Sequence, residues 1–327
     1  MNSKNLVINL NKPRDISSHK AATKVKQLFS GKKAGHAGTL DPIATGVLIV
    51  CLNEATKITR FLSDLNKEYI VRLKFGERTD TYDLTGRIIE KTRCPLLNET
   101  DIQDVLSKFK GQIKQMPPMY SAIKVNGKRL YKLARIGMNI ERPERTINIY
   151  KIDLLYFNLP FLDLKISCSK GTYIRTLCDD IGKALGVGAH MVSLERTRVG
   201  IFRIGDSASL EELQAKKEAW LSIDSAISHL SEMTLDEDAY RKARNGMPII
   251  TPSGASMTHG SANDNENNPP LSHFSKGGAG GIEGLYINQY IRLKNPENIL
   301  FGIGKLEKNM IRIERLLDGA SGFKARQ

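Results

Sequence analysis

The sequence predicts an α+β fold, with a mixed, largely antiparallel sheet flanked by helices and a small β domain at the C-terminal end. Segments with the periodicity of strands and of helices are intermixed over most of the chain, without the strand–helix–strand rhythm of a parallel sheet. Beyond about residue 230 only short alternating segments follow. The chain has 327 residues, 40% of them hydrophobic and 26% charged, which suits one large and one small domain. We predict a large domain over 1–229 and a small one over 230–327.

The individual elements follow from the spacing of apolar residues. Apolar residues recur on one helical face after Ser17 or Ser18, which would cap a helix that Gly31 ends. Thr100 and Gln103 have the spacing of a capping box, which predicts another helix start. In chain order we predict a helix over 17–31, a strand over 47–52, a helix over 55–65, strands over 67–75 and 87–91, a helix from 100 to about 111, extended segments over 121–125 and 146–168 with a break at 158–160, a helix from about 174 to 185 and a helical stretch over 210–230.

The small domain is predicted from four alternating segments, over 247–250, 284–293, 299–305 and 310–317. The first two are separated by a segment, about 252–281, that is rich in Ser, Asn, Gly and Pro. Because this segment has few large apolar residues, burial cannot offset the entropy of ordering it. We predict a flexible insertion without a catalytic role, and a functional tether is the alternative.

The net charge points to a polyanionic partner. Lysine and arginine number 49 against 35 acidic residues, which gives a net charge of +14 and an isoelectric point near 9.5. Residues 20–40 contain five lysines and no acid, and residues 108–145 contain ten basic residues against Glu141 and Glu144. Apolar residues are interleaved with these charges, so folded basic surfaces are expected. Charge alone does not choose among nucleic acid, a membrane surface and an acidic protein, and solvated lysine faces remain the simpler interpretation.

The sequence contains no pattern of a metal, cofactor or membrane protein. The four cysteines have no CxxC spacing and no paired histidines nearby, and motifs for phosphate or dinucleotide binding are missing. No apolar run approaches the roughly 18 residues that span a bilayer, and the first residues are too polar for a signal peptide. We expect a cytoplasmic protein that holds no metal and no cofactor.

A glycine-rich loop presents one carboxylate, that of Asp41. Gly38 and Gly46 permit positive φ angles, and Pro42 keeps Asp41 out of the helical region, so the loop has little conformational freedom. Two interpretations follow from the spacing alone. Asp41 could be a positioned catalytic carboxylate, or it could cap a short helix with Pro42 at its first position.

Residues 35–48 read GHAGTLDPIATGVL and match every fixed position of GH-x-G-x-LDP-x-ATG-x-L. This signature resembles the catalytic loop of the TruB family, the bacterial tRNA pseudouridine-55 synthases. The likeness continues, in family order, through EATK at 54–57, RTDT at 78–81, PMYSA at 118–122 and SKGTYIRT at 169–176. It implies the pseudouridine synthase fold and a PUA-like C-terminal domain that binds RNA. It also implies conversion of uridine to pseudouridine at position 55, in the T loop of tRNA, without a cofactor.

The resemblance assigns roles to three residues. Asp41 matches the family nucleophile, which attacks either the ribose C1′ or the base C6, and both routes require a carboxylate. Arg175 matches the arginine that pairs with this aspartate, and a guanidinium within hydrogen-bonding reach would hold the pKa of the carboxylate down against the desolvation that raises it. Tyr69 matches the tyrosine that stacks on the target uracil, although a tyrosine on an alternating strand is more often part of the core.

Further residues would bind the RNA. By the same resemblance His36 helps to receive the extruded base, and Leu194 forms an apolar wall of the pocket. A uridine stacked in an RNA loop must be extruded before it can react, and phosphate contacts elsewhere must offset that free energy. We predict that four basic residues after the PMYSA motif grip the backbone of the T arm. They are Lys124, Lys128, Arg129 and Lys132.

One motif departs from the family pattern. Where the family has KP-x-G-x-TS, Asp15 and Ser17 replace the glycine and the threonine, so we expect a slightly altered supporting turn and intact chemistry. Two alternatives stay open: a guide-RNA-dependent relative, whose long basic tails are missing here, and an RNA chaperone without catalysis. We expect a monomer without an obligatory protein partner.

Overall fold

The computed structural model describes residues 4–94, 97–121, 123–125, 127–138, 140–250, 289–307 and 310–317. Helices and mostly antiparallel strands are intermixed, so the predicted fold class is confirmed.

The strands are β1 (Val7–Lys12), β2 (Ala34–Ala37), β3 (Thr45–Leu52), β4 (Lys67–Phe75), β5 (Glu77–Thr79), β6 (Ile88–Lys91), β7 (Gly111–Gln115), β8 (Lys124–Val125), β9 (Lys128–Arg129), β10 (Arg145–Asn158), β11 (Phe161–Cys168), β12 (Ala189–Val199), β13 (Phe202–Arg203), β14 (Trp220–Leu221), β15 (Ser231–Thr234), β16 (Ile249–Ile250), β17 (Tyr290–Lys294), β18 (Leu300–Glu307) and β19 (Met310–Leu316). The helices are α1 (Ser18–Leu28), α2 (Thr59–Ser63), α3 (Glu99–Lys108), α4 (Leu130–Arg135), α5 (Ile174–Ala184), α6 (Ile223–Ala226) and α7 (Glu237–Arg244), and short 3₁₀ helices cover Asn53–Ile58, Ile204–Asp206 and Lys217–Ala219.

The large sheet positions the glycine-rich loop. Its strands run in the order β14-β1-β3-β12-β4-β11-β10-β7, with β2 beside β3 and β13 beside β12. Among the described pairs of this sheet only β3 and β12 are parallel, in the register Thr45↔Glu195 and Gly46↔Arg196. The loop that contains Asp41 joins β2 to β3. It therefore lies over the middle of the sheet, beside the parallel pair.

Both faces of this sheet are buried around β3. Leu48 and Val50 point into one apolar cluster, which α1 and α5 cover, while Val47 and Ile49 point into another on the opposite face. The unbroken apolar run predicted a buried strand, and the structure confirms it.

Local sequence signals set several boundaries. The side chain of Ser17 accepts a hydrogen bond from the backbone N–H of Lys20 and caps α1, as predicted. Asp15 adopts a φ of 64°, in the left-handed region that glycine occupies most readily. The predicted capping box is wrong by two residues, because Asn98 and Asp101 bond to each other's backbone N–H groups and asparagine is a better N-cap than threonine.

The predicted helical stretch over 210–230 is wrong. This segment contains a 3₁₀ turn, β14 and the short α6. The backbone of Trp220 pairs with Ile8 of β1, its indole N–H donates to the carbonyl of Leu213 at 2.7 Å, and its ring packs edge-on against Phe29. These tertiary contacts outweigh the local helical pattern.

A second sheet, in the order β15-β17-β18-β19-β16, follows in the C-terminal part. The predicted strands over 299–305 and 310–317 match β18 and β19, whereas β15 and α7 were not predicted. Ile303 shares an apolar cluster with Ile58 and Phe61, and Arg60 pairs with Glu314 at 2.8 Å, so this sheet packs against the region of α2. The insertion predicted at about 252–281 and the first part of the strand predicted over 284–293 lie outside the described residues. The division into 1–229 and 230–327 stays a prediction.

None of the helices among the described residues has the length and apolarity needed to cross a bilayer.

Candidate active site

The Asp41 loop is held from several sides. The hydroxyl of Ser18 donates to the carbonyl of Leu40 and accepts from its N–H, at 2.9 and 2.8 Å. The N–H of Ala44 donates to the carbonyl of Asp41 at 3.1 Å, and residues 42–44 form a turn before β3 begins. The interpretation of Asp41 as the cap of a short helix is therefore wrong.

Gly46, in β3, allows the backbone of this strand to lie close to that of β12. Its φ is +97°, and a Cβ atom added there would lie 2.3 Å from the carbonyl oxygen of Arg196. Because that oxygen belongs to a paired strand, a side chain at position 46 would force the backbones apart.

Replacing Gly46 with alanine should therefore destabilise the fold strongly. We expect a loss of about 3 kcal/mol in the free energy of unfolding, measured by urea denaturation. Gly186→Ala is the matched control, since Gly186 has a φ of +70° but no atom within 4 Å of an added Cβ. It should lose only about 1 kcal/mol. Equal losses in the two variants would show that the close approach to Arg196 is not the cause.

The structure brings Arg175 and Asp41 together as a bidentate ion pair. Nε of Arg175 lies 2.7 Å from Oδ2 of Asp41, and Nη2 lies 3.2 Å from Oδ1. Arg175 is in the first turn of α5, and its side chain is 6% exposed, against 31% for Asp41. The guanidinium thus lies beneath the carboxylate, which keeps one edge open to solvent.

A second carboxylate, that of Asp83, completes the cluster. It lies 3.3 Å from Nη1 of Arg175, and its other oxygen accepts hydrogen bonds from Thr81 and Thr85. Arg175 also donates to the carbonyls of Thr81 and Tyr120. Asp83 was not among the residues predicted for the site, and the signal that could have indicated it is its place just after the RTDT motif.

The charges of this cluster act on Asp41 in opposite directions. Burial raises the pKa of Asp41 above its usual value, the guanidinium of Arg175 lowers it, and the negative charge of Asp83 raises it again. The effect of Arg175 has the predicted sign, but burial outweighs it. The net shift of the pKa is therefore upward, contrary to the expectation from sequence.

Two buried polar residues support the pair from outside. Nζ of Lys12 donates to the carbonyls of Pro13 and Ile16 and, at 3.3 Å, of Pro42, next to Asp41; burial lowers its pKa to about 8. The side-chain amide of Gln115 accepts from the N–H of Tyr173 at 2.8 Å and donates to its carbonyl at 3.1 Å, which fixes the start of α5 and so the base of Arg175. Local sequence gave no sign of either contact.

Tyr69 and Leu194 lie in the same apolar cluster, each 7% exposed. Tyr69 is on β4 and pairs in register with Arg196 of β12, two residues beyond Leu194. Burial raises the pKa of Tyr69, while the positive charge of Arg196 lowers it. The charge of Asp41 also reaches this hydroxyl group. The predicted stacking residue and the predicted pocket wall therefore lie beside each other near Asp41.

His36 lies on β2, before the Asp41 loop, and is half-buried. Its Nδ1 atom is buried and has no hydrogen-bond partner among the described residues. Burial, with the positive charges of Arg196 and His19, lowers its pKa, which favours the neutral form of the ring. The predicted role of His36 in receiving the base stays a prediction.

The four predicted RNA-contact residues lie in one short unit of the chain. Lys124 is in β8, Lys128 and Arg129 are in β9, and Lys132 is in α4; the structure describes their backbone and not their side chains. This unit follows Tyr120, whose carbonyl bonds to Arg175 at 2.9 Å. The basic segment is thus anchored to the carboxylate site through its backbone.

No group of three or more His, Cys, Asp or Glu side chains that could hold a metal ion occurs among the described residues.

Comparison with known proteins gives two family models and several close relatives. The model of the TruB family pseudouridylate synthase N-terminal domain matches residues 26–174, and that of the tRNA pseudouridylate synthase B C-terminal domain matches residues 175–237. The tRNA pseudouridine synthase B of Clostridium tetani is 45% identical over 247 residues, which is 75% of this chain and 86% of that protein. The protein of the same name from Francisella tularensis is 46% identical over 237 residues, 72% of this chain and 78% of that protein.

Solved structures share the fold. A chain of the Cbf5-Nop10-Gar1 complex has a TM-score of 0.71 and 25% identity, over 95% of this chain and 84% of that one. A chain of an H/ACA ribonucleoprotein bound to a substrate RNA containing 2′-deoxyuridine has a TM-score of 0.69 and 23% identity, over 97% and 86% of the two chains. The fold is that of the pseudouridine synthases. With the family models and the close relatives, the chain belongs to the TruB family of tRNA pseudouridine synthases and is an enzyme of the isomerase class.

Proposed function

We propose that this enzyme isomerises the uridine at position 55 in the T loop of tRNA, with Asp41 as the nucleophile on a flipped-out uridine. The observation that supports this best is the bidentate pair of Asp41 and Arg175 in a site with one open edge. It offers an oriented, ionised carboxylate to a group that enters from solvent.

The reaction breaks the bond between ribose C1′ and base N1 and joins C1′ to C5 after the base has turned. C5 loses a proton and N1 gains one, with no net oxidation, so no cofactor is required. Asp41 would form a bond either to C1′, releasing the base, or to C6, saturating the 5,6 double bond. Arg175 favours the charged form of the carboxylate, against the effect of burial, as the RNA excludes water from the site.

The detached base needs a surface that holds it in any orientation. The ring of Tyr69 suits this role, since an aromatic face binds a base whichever edge it presents. Leu194 would close the pocket on the apolar side. His36, half-buried on β2 just before the Asp41 loop, would help to receive the extruded base.

The basic unit over 124–135 would hold the T arm while the uridine is flipped. Removing two of its charges, in Lys128→Gln/Lys132→Gln, should weaken tRNA binding. It should also reduce the slope of log Kd against log salt concentration by about 0.7 to 0.9 for each phosphate that the protein no longer neutralises. Lys151→Gln/Lys165→Gln, which removes the same charge from β10 and β11, is the control. A slope equal to that of the control would refute this assignment.

Nucleotide-resolution mapping tests the proposed reaction. Unmodified tRNA is incubated with the purified protein and nothing else, and we expect pseudouridine at the T-loop uridine. The likeness to chains of the Cbf5-Nop10-Gar1 complex and of an H/ACA ribonucleoprotein favours a second candidate, an enzyme that acts within a ribonucleoprotein. Product only after a further RNA or protein is added would support that candidate.

We also propose that the enzyme acts as a monomer in the cytoplasm.

A further inference from the structure

Arg196 is a buried cation, and its surroundings set it apart from the other arginine of the site. Its residue is 1% exposed, and no carboxylate lies within ion-pair distance of it among the described residues. An unpaired charge in the interior is strongly unfavourable unless hydrogen bonds and function compensate for it. This guanidinium is separate from Arg175, which binds Asp41 directly.

The donors of Arg196 hold both ends of the Asp41 loop. Nε donates to the carbonyl of Val47 at 2.7 Å, and Nη2 donates to the carbonyl of Gly38 at 3.1 Å. Val47 and Gly38 stand on either side of the loop. Arg196 is also the cross-strand partner of Tyr69 in the register of β4 and β12, and its positive charge acts on the hydroxyl of Tyr69. One planar group thus joins both ends of the loop and lies next to Tyr69.

Two glycines of the loop signature make room for this group. A Cβ atom on Gly38 would lie 3.4 Å from Nη1 of Arg196, and one on Gly46 would meet its backbone. The two glycines therefore leave room for Arg196, in addition to permitting the turn of the loop.

The positive charge of Arg196 also acts on the ionisable groups around it. It lowers the pKa of His36, Lys12, Lys67 and Tyr69. For Tyr69 this positive charge opposes the effect of burial, which raises the pKa of the hydroxyl.

We propose that Arg196 is a positioning residue, which holds the Asp41 loop and Tyr69 in one fixed geometry so that carboxylate and ring meet the same uridine. This inference rests on the roles proposed above for Asp41 and Tyr69. Lysine cannot replace it, because a single ammonium nitrogen does not offer the spaced, coplanar donors of a guanidinium.

The test compares Arg196→Lys with Arg198→Lys. Arg198 is on the same strand but in register with Glu68, with which it pairs at 2.7 Å. We expect Arg196→Lys to lower the single-turnover rate about 100-fold and to leave the Kd for tRNA within about threefold, whereas Arg198→Lys keeps both. A folded Arg196→Lys enzyme with the rate of the control would overturn the inference.

A double-mutant cycle separates positioning from general support of the fold. Tyr69→Phe keeps the ring and removes the hydroxyl on which the charge of Arg196 acts. The rate losses of Tyr69→Phe and Arg196→Lys should be non-additive, because each changes the same cross-strand pair. Additive losses would mean that Arg196 does not act through Tyr69.

If Arg196→Lys fails to fold, backbone amide hydrogen exchange measured on Tyr69→Phe tests the inference instead. The amide of Leu40 donates to the hydroxyl of Ser18 and that of Ala44 to the carbonyl of Asp41, and we expect both to exchange faster in this variant. Unchanged exchange would overturn the inference. A wild-type enzyme that forms no pseudouridine in the T loop would instead refute the proposed function, and the exchange experiment would still report on the link.

Discussion

Asp41→Asn should abolish pseudouridine formation while tRNA binding persists. The amide has nearly the shape of the carboxylate but is uncharged and a poor nucleophile, so no covalent bond to C1′ or C6 can form. We expect the single-turnover rate to fall on the order of 10⁴-fold or more. The Kd for tRNA should stay within about threefold, because the contacts to the RNA backbone are made elsewhere.

Asp163→Asn is the matched control for this prediction. Asp163 forms a similar bidentate pair with Arg72, with both distances 2.7 Å, on an exposed part of β4 and β11. Its loss should leave the rate unchanged, since exposed ion pairs contribute little. An Asp41→Asn enzyme that retained a tenth of the wild-type rate would show that another group is the nucleophile.

Arg175→Lys should lower the rate and move its dependence on pH. Lysine cannot form the bidentate pair with Asp41 and opposes burial and the charge of Asp83 less well, so the pKa of Asp41 rises further. The carboxylate is the active form, so activity is present above this pKa and is lost as pH falls through it. We expect the acid limb of the single-turnover profile to move to higher pH, with a loss of about 100-fold near neutral pH.

Arg72→Lys is the control for the pH profile. It makes the same substitution in the exposed pair with Asp163, outside the site. Its acid limb should coincide with that of the wild type. If Arg175→Lys also left the acid limb in place, the guanidinium would not be what tunes the carboxylate.

The parts of the site that sequence could predict lie in continuous motifs. Glycines and a proline around Asp41 indicate a restricted loop by local backbone physics, whereas the nucleophilic role of Asp41 was predicted only from the resemblance. Arg175 and Tyr69 were likewise found through motifs, since on spacing alone an arginine at a helix start is usually on the surface. Their positions near Asp41 depend on how α5 and the strands of the sheet pack together, and local periodicity does not reveal that packing.

The missed parts depend on contacts between distant segments. Asp83 lies just after β5, and the contact that brings it to Arg175 joins segments 92 residues apart. Arg196 sits on an alternating strand, where a charged residue is normally expected at the surface. The stretch around Trp220 was assigned to a helix because the pattern of apolar residues does not reveal that β1 would pair with it.

The central claim is that an ionised Asp41, held by Arg175, attacks one uridine of the T loop. Single-turnover mapping of pseudouridine at that uridine, with wild type and Asp41→Asn at protein concentrations that bind all the tRNA, tests it most directly. We predict conversion by the wild type and none by the bound variant. Conversion of that uridine by Asp41→Asn at a rate near that of the wild type would contradict it.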